Sequence, residues 1–266
     1  MFKNTIYVLV FLLEIFKDFF IKFKNITLYL IQYNLKKNKK FKNYLKVNFN
    51  YWNNINKVNK PNPKVLITDF VSHPGYTITM SIIGKHVSKI ENLETMGFVR
   101  NYDIRGSKII KSFGVNNICY LKYGGLVRRL IFFLKSILIL QKYKNVDEFI
   151  KYTDKNISIG LIVYDHILRH SLIGTTNKIT FKFYYFLAEA LNVNQFCKNL
   201  FSNNNIHSVI QTEKQFLPSA IIFQNALAYN CKVYSKEGGV NCFGVRVCCD
   251  ISKKLSSKLL HSKDLF

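Results

Sequence analysis

Beyond Pro63 the sequence alternates between short β-branched runs and longer helical patterns, and this alternation constrains the fold more than any other feature. Residues 64–70 (KVLITDF) have the composition of a buried strand. The loop SHPGY follows, and the helical pattern ITMSIIGKHVSK comes next, at residues 78–89. A strand, a loop and a helix in this order predict the first unit of a parallel α/β sheet.

The same alternation of strand and helix patterns continues to about residue 247. Further strands are predicted at residues 96–100, 117–122, 206–212 and 231–235, and the run 241–247 is a candidate for a last strand. Helices are predicted at 103–114, 126–141, 159–176, 179–201 and 218–229. The pattern predicts a Rossmann-like, doubly wound parallel sheet of five or six strands in residues 64–248. An N-terminal helical arm with its linker (1–60) precedes it, and a C-terminal tail (249–266) follows it.

The N-terminal arm is basic and aromatic. Residues 1–60 contain 12 Lys and only 2 acids, Glu14 and Asp18. The apolar run 6–16 is shorter than the roughly 20 residues that span a bilayer, and no small-residue cleavage site follows it, as a signal peptide requires. Phe and Lys then alternate, a pattern typical of a helix in an anionic membrane interface. The alternative is a helix that docks on the protein's own body.

The formal net charge of +24 does not by itself indicate nucleic-acid binding. Lys, Asn, Ile, Phe and Tyr are all frequent, as an AT-rich coding sequence would produce, and no RNP, zinc-finger or helix-turn-helix signature is present. The six cysteines show no CxxC spacing, so we expect reduced, mostly buried thiols. His166 and His170 have the spacing of two helix-borne ligands, but without a third ligand nearby we expect no metal site.

The loops after the carboxyl ends of parallel strands form the ligand crevice of an open sheet. Here these loops are residues 72–76, 122–125, 212–216 and 236–239. None carries the glycine pattern of a dinucleotide site or of a P-loop, so we expect no cofactor.

His73 is the best candidate for a catalytic general base in these loops, because it lies at a strand end on a Pro-Gly turn and imidazole titrates near neutral pH. Gly75, Thr212 and Glu213 are candidate substrate-binding residues of the same loops. Glu213 and Glu237 have the chemistry to orient a sugar hydroxyl. The alternatives are that His73 only caps the following helix and that both glutamates are solvated loop charges.

The stretch 159–176 (IGLIVYDHILRHSLIGTT) predicts an amphipathic helix. One stripe for packing against a core is formed by Leu161, Tyr164, Leu168 and Leu172. Asp165 and Arg169 lie one turn apart on a neighbouring face. On an open surface such a pair stabilises a helix by only about 0.3 to 0.5 kcal/mol. The pair is therefore either a surface ion pair or a polar pair that faces a cleft.

This helix resembles the IGDLIYDxxLR segment of a family of bacterial capsule or surface polysaccharide biosynthesis proteins. The matching residues are Ile159, Gly160, Tyr164, Asp165, Leu168 and Arg169. The similarity continues through the Thr175-Thr176 loop and the strand 206–212, and covers most of residues 64–248. The family segment usually has an acid where this chain has Leu161.

The resemblance implies one Rossmann-like half of a two-domain (GT-B type) glycosyltransferase, in which the N-terminal half generally binds the acceptor. Asp165 then becomes a second candidate catalytic residue beside His73. The candidate substrate-binding residues of this segment are Gly160, Tyr164, Arg169 and Thr175. Residues 249–266 are too few to form the second half, so the alternatives are a truncated chain, a partner subunit that supplies the second domain, or lost catalysis.

Two function classes stay open. The first is an enzyme, or enzyme half, of surface polysaccharide assembly on the cytoplasmic face of the membrane. The second is a noncatalytic binding or scaffold protein with the same fold. In both classes the expected partners are a nucleotide sugar or glycan acceptor and an anionic membrane surface, and no nucleic acid is expected.

Overall fold

The structure is a computed structural model that describes residues 2–34, 39–53, 63–237, 244–249 and 259–260. Its helices are α1 (Phe2–Asn34), α2 (Lys39–Asn53), α3 (Pro74–Ile90), α4 (Ile104–Ser112), α5 (Leu126–Leu140), α6 (Val146–Phe149), α7 (Ile159–Ser171), α8 (Phe181–Asn203) and α9 (Ser219–Ala228). Its strands are β1 (Lys64–Asp69), β2 (Glu94–Arg100), β3 (Asn117–Leu121), β4 (Ile206–Gln211), β5 (Lys232–Glu237), β6 (Gly244–Cys248) and β7 (Leu259–Leu260). Most of the predicted linker and tail, and part of the predicted loop 236–239, lie outside the described residues.

All seven strands belong to one sheet with the order β3-β2-β1-β4-β5-β6-β7. β1 pairs in parallel with β2 and with β4, and the next strands on each side, β3 and β5, are also parallel. This arrangement confirms the predicted Rossmann-like α/β class.

The sixth strand departs from the parallel pattern. β6 is antiparallel to β5, and β7 is antiparallel to β6. Only six residues separate β5 from β6, whereas a parallel crossover needs about a dozen or more. The short connection therefore allows only an antiparallel return.

Helices cover both faces of the sheet. Val65, Ile67 and Ile210 pack with the helices α3 and α4 on one face, while Leu66 and Val209 pack with α8 and α9 on the other. Successive residues of a strand point to opposite faces, so a strand covered on both sides is a continuous apolar run. This explains the apolar run Val65, Leu66 and Ile67 in β1.

The order of the strands places a ligand crevice at one edge of the sheet. Along the chain, β2 and then β3 are added on one side of β1, whereas β4 and then β5 are added on its other side. The direction of winding therefore reverses between β1 and β4. Open α/β sheets bind ligands outside the carboxyl ends of the strands at such a reversal. The connection from β3 to β4 carries α5 to α8.

Both N-terminal helices contact the α/β body. Trp52 of α2 packs against Phe113 at the end of α4, with 5.6 Å between ring centroids. Phe11 of α1 stacks on Phe133 of α5 at 4.0 Å and is 3% exposed. Among the described residues, no helix combines the length and apolar character needed to cross a membrane.

The predicted core stripe of α7 was wrong. The buried side chains include Ile159, Val163 and Ile167, which follow one another at a spacing of four residues. Leu172 instead ends the helix in the left-handed conformation (φ 52°) and is 91% exposed. The predicted stripe and the buried one both have helical periodicity, and the packing on α8 decides which of them is buried.

Candidate functional site

A cavity of about 620 Å³ lies between α1, α7 and α8 at the carboxyl ends of β2 and β3. Its lining is mostly aromatic and charged. The residues that carry its polar character are Lys22, Arg100, Tyr102, Tyr123, His166 and Glu189. The position agrees with the edge of the sheet at which parallel α/β folds bind ligands.

Tyr123, two residues after β3, forms the floor of the cavity with Glu189 of α8. Its hydroxyl donates a hydrogen bond of 3.0 Å to Glu189 Oε1. Burial, together with the neighbouring Glu189 carboxylate, raises the pKa of Tyr123 well above its ordinary value. Tyr123 therefore keeps its proton at neutral pH and remains a donor.

Arg100, the last residue of β2, brings a positive charge to the same wall. One of its terminal nitrogens, Nη1, donates to Tyr102 Oη at 2.9 Å. Its Nε is buried and has no hydrogen-bond partner. Arg100 forms no ion pair with any carboxylate in the described part of the chain, so its charge is only partly compensated.

Lys22 closes the cavity from the side of α1. Its ammonium lies over the rings of Tyr102 and Tyr123, at 5.4 and 5.5 Å from the centroids. Desolvation by burial lowers the pKa of Lys22, although Asp18 lies near enough to oppose the shift. Two aromatic faces and a half-buried position hold this cation, which makes no ion pair within the described residues.

His166 of α7 contributes a neutral imidazole. Its Nδ1 is buried without a hydrogen-bond partner, and its ring meets the edge of Phe186 at 4.6 Å. Burial first, and then the charges of His170 and Arg100, lower the pKa of His166 to about 4. An uncharged ring with one unpartnered nitrogen is suited to accept a hydrogen bond from a ligand.

Asp18 fixes α1 against the rest of the cavity wall. Its Oδ2 accepts from Arg129 Nη2 at 3.3 Å and from Tyr185 Oη at 2.8 Å. Since Arg129 belongs to α5 and Tyr185 to α8, one carboxylate joins three helices. Asp18 is thus engaged in positioning α1.

The predicted general base His73 lies outside this cavity. It precedes α3 as the N-cap residue, but its side chain makes no capping hydrogen bond. Its ring is exposed and lies 5.1 Å from the ring of Tyr76. Gly75, on the same turn, is exposed as well.

The buried polar position behind this turn is taken by Asp69 instead. Asp69 accepts hydrogen bonds from the hydroxyl of Thr77 and from the backbone N–H of Ser72. Burial raises the pKa of Asp69, and the nearby Asp103 carboxylate raises it further against the opposing hydrogen bonds. These contacts hold the turn after β1 and leave His73 at the surface.

The predicted ion pair between Asp165 and Arg169 is absent, and this corrects the expected geometry of the motif. Arg169 is exposed, and its guanidinium lies over the ring of Phe216 at 4.5 Å. Asp165 is half-buried, and desolvation raises its pKa. Both residues line a shallow cleft of about 430 Å³ together with Gln215. The aromatic face attracts the guanidinium. α7 therefore contacts the loop 212–216 through Arg169 and Phe216.

The remaining predicted residues have local roles. A Cβ on Gly160 would lie 2.0 Å from the carbonyl oxygen of Phe149, so Gly160 allows close backbone packing and offers no access to a ligand. Tyr164 and Thr175 share a hydrogen bond of 3.0 Å between their hydroxyls.

In the loop after β4, the predicted binding residue Glu213 binds the backbone of its own loop. Glu213 Oε1 accepts from the backbone N–H groups of Lys214 and Gln215, both at 2.7 Å. Thr212 is half-buried next to it. The substrate-binding roles of these residues stay predictions.

Sequence reasoning missed most of the cavity. Arg100 and Tyr123 stand at the ends of predicted strands, where a search of the crevice would have found them. Lys22 and Glu189 lie on helices far apart in the sequence, and no spacing links them. Among the described residues, no group of three or more His, Cys, Asp or Glu is placed to hold a metal ion.

In comparisons with known proteins, no family model, no curated protein and no solved structure matches this chain. The resemblance of the α7 segment to polysaccharide biosynthesis proteins therefore stays a prediction.

Proposed function

We propose that the protein binds a nucleotide sugar, or the phosphorylated end of a glycan acceptor, in the cavity beneath α1, and that it serves surface polysaccharide assembly. The observation that carries this proposal is the pair of cations Lys22 and Arg100. Both lie in one cavity, and neither forms an ion pair with a described carboxylate. Asp18 and Glu189 lie near these cations without forming ion pairs with them, and a phosphate group would supply oxygens that bind both cations directly.

The size and lining of the cavity suit such a ligand. Its volume of about 620 Å³ lies within the range of about 300 to 1,000 Å³ found for small-molecule sites. Aromatic rings of Tyr102, Tyr185 and Phe186 line the walls and offer flat apolar faces to a sugar or a base. The hydroxyl of Tyr102 accepts from Arg100 and keeps its own proton free to donate.

Glycosyl transfer would require a group that accepts the proton of the attacking hydroxyl. In the cavity His166 is the candidate for this role, because Nδ1 has no partner. His73 and Asp165 stay candidates for catalysis at other positions. A GT-B transferase would also need a second domain, supplied either by a longer chain or by a partner subunit.

Binding without catalysis is the second candidate, and one observation favours it. The pKa of His166 is lowered to about 4, which makes the free imidazole a weak base at neutral pH. Glu189, the other candidate base, already accepts the hydroxyl of Tyr123. A protein that holds a nucleotide sugar for a separate enzyme would need neither group to take a proton.

The location that fits this role is peripheral, on the inner face of an anionic membrane. The support for it is the composition of the arm, together with α1, which forms a wall of the cavity and carries exposed Phe and Leu side chains on its outer side.

Saturation-transfer NMR with UDP-glucose, GDP-mannose and other nucleotide sugars tests the proposal. Lys22→Met keeps an apolar chain between the two tyrosine rings and removes the charge. We expect it to weaken binding by about tenfold or more, because a hydrogen bond to a charged group contributes about 1.5 to 3 kcal/mol.

The matched control is Lys89→Met, which removes an exposed charge at the end of α3. Equal affinity of the Lys22 and Lys89 variants, or no saturation transfer to any nucleotide sugar, would contradict the proposal. Turnover with an added acceptor, followed by mass spectrometry, separates a transferase from a binding protein.

A further inference from the structure

Two helices that touch each other expose apolar faces on the outside of the protein. On α1 the exposed side chains are Leu9, Leu13, Phe16, Phe19, Phe20 and Phe23. On α5 they are Val127, Ile131, Leu134 and Leu138, which are 48% to 71% exposed. The two helices meet where Phe11 stacks on Phe133.

The exposed face of α5 is not required by the fold. Phe133, Ile137 and Leu140 already bury the opposite side of the helix against α1 and α8. The exposed residues recur at spacings of four, three and four, which places them on one continuous stripe. A helix that covers a domain normally turns polar residues outward, so this second apolar stripe indicates a contact with something other than the described residues.

The charges near the apolar faces of α1 and α5 indicate which kind of partner would bind there. The sequence of α5 contains Arg128, Arg129 and Lys135 and no acid. Of the two acids of α1, Asp18 binds Arg129 and Tyr185, and both acids line the cavity on the inner side. Arg129 is engaged with Asp18, but Lys135 of α5 and Lys24 of α1 are exposed and flank the apolar faces.

We infer that α1 and α5 together form one surface that docks on an anionic lipid bilayer. A second copy of the chain would bring cations against cations, whereas anionic headgroups complement them. The inference deepens the membrane location proposed above, on which it rests: lipid contact is made by the α/β body through α5, and not by the arm alone.

The docked arrangement also fixes the orientation of the body. The Phe11–Phe133 stack and the bond from Arg129 to Asp18 hold α1 to α5, so lipid contact on either helix positions both. The ligand cavity lies directly beneath α1. A helix with its side chains is about 10 Å in diameter, so the cavity would lie close to the headgroups.

Sedimentation of the full chain with sucrose-loaded vesicles tests this surface. We expect strong partitioning onto vesicles that contain phosphatidylglycerol, and weak partitioning onto pure phosphatidylcholine. The combined change Ile131→Gln, Leu134→Gln and Leu138→Gln should lower the partition coefficient by about tenfold or more. Because these side chains are exposed, circular dichroism should show an unchanged fold.

Matched controls use exposed apolar residues elsewhere. Ile90→Gln and Leu172→Gln alter side chains that are 82% and 91% exposed, and both variants should partition like the wild type. The inference is overturned if the α5 variant binds vesicles as tightly as the wild type, which would leave the arm as the only contact. It is also overturned if the wild type dimerises through α5 and ignores vesicles. Nucleotide sugar binding is measured without lipid, so either result leaves the proposed ligand site to its own test.

Discussion

The hydroxyl of Tyr123 donates a hydrogen bond of 3.0 Å to Glu189, and this bond joins the end of β3 to the middle of α8 at the floor of the cavity. Tyr123→Phe should lower the free energy of unfolding by about 1 to 3 kcal/mol, because the carboxylate loses its donor in a part-buried position. Tyr164→Phe, whose hydroxyl bond to Thr175 is exposed, should cost less than about 1 kcal/mol. Urea denaturation measures both. Equal losses would show that the Tyr123 bond is not sheltered from solvent.

The docking of α1 depends on one buried ring. Phe11→Ala removes the stack on Phe133 and should cost about 3 kcal/mol, a value at the low end for a buried phenylalanine. We expect α1 to be cleaved faster by protease and nucleotide sugar binding to weaken. Phe16→Ala, on the outer side of the same helix, should change the stability by less than about 0.5 kcal/mol. Resistance of the Phe11 variant to proteolysis would show that α1 is held by other contacts.

The α7 motif should behave as two independent residues. Arg169 lies over Phe216 and forms no pair with Asp165, so a double-mutant cycle of Arg169→Ala with Phe216→Leu should give a coupling of about 0.5 to 1 kcal/mol. The cycle of Asp165→Asn with Arg169→Ala should give a coupling near zero. A coupling of about 0.3 kcal/mol or more in the second cycle would show that Asp165 and Arg169 do form the predicted ion pair.

The fold was predictable from the sequence because its signals are local. Strands such as β1 and β4 are short runs rich in Val and Ile and bounded by turn residues, and their alternation with helical patterns fixes the class. The direction of β6 was not predicted, since it depends on the length of the connection from β5. The buried face of α7 was not predicted either, because two apolar stripes of equal periodicity compete and only the tertiary contact with α8 separates them.

The cavity was less predictable than the fold. Arg100 and Tyr123 have positions that follow from the strand pattern, whereas Lys22 reaches the cavity only because α1 docks on α5 and α8. That docking depends on Phe11, which looks the same in the sequence as the exposed Phe16 and Phe20. The loop position of His73 predicted a general base. Asp69 and Thr77, however, hold that loop so that the imidazole lies at the surface, outside the cavity.

The stability of the protein should depend on pH through His166. Its folded pKa of about 4 lies below the ordinary value of 6.5, so protonation favours the unfolded state. The contribution of His166 to stability is therefore complete above about pH 6.5 and is lost as the pH falls from about 6.5 to about 4. Urea unfolding over this range should show a shallower pH dependence for His166→Gln than for the wild type. An unchanged slope would mean that the imidazole is solvated.

The most direct test of ligand binding beneath α1 is an NMR titration of the ring signals in the ¹³C-histidine-labelled chain, with and without UDP-glucose. His166 and His170 lie in the cavity, whereas His73 lies on the predicted crevice loop outside it. We predict that the ligand shifts the two cavity signals and raises the pKa of His166 above about 4, because a nearby negative charge favours the imidazolium. The His73 signal should not move. A shift of His73 with unchanged His166 and His170 would contradict the account and place the ligand at the loop after β1.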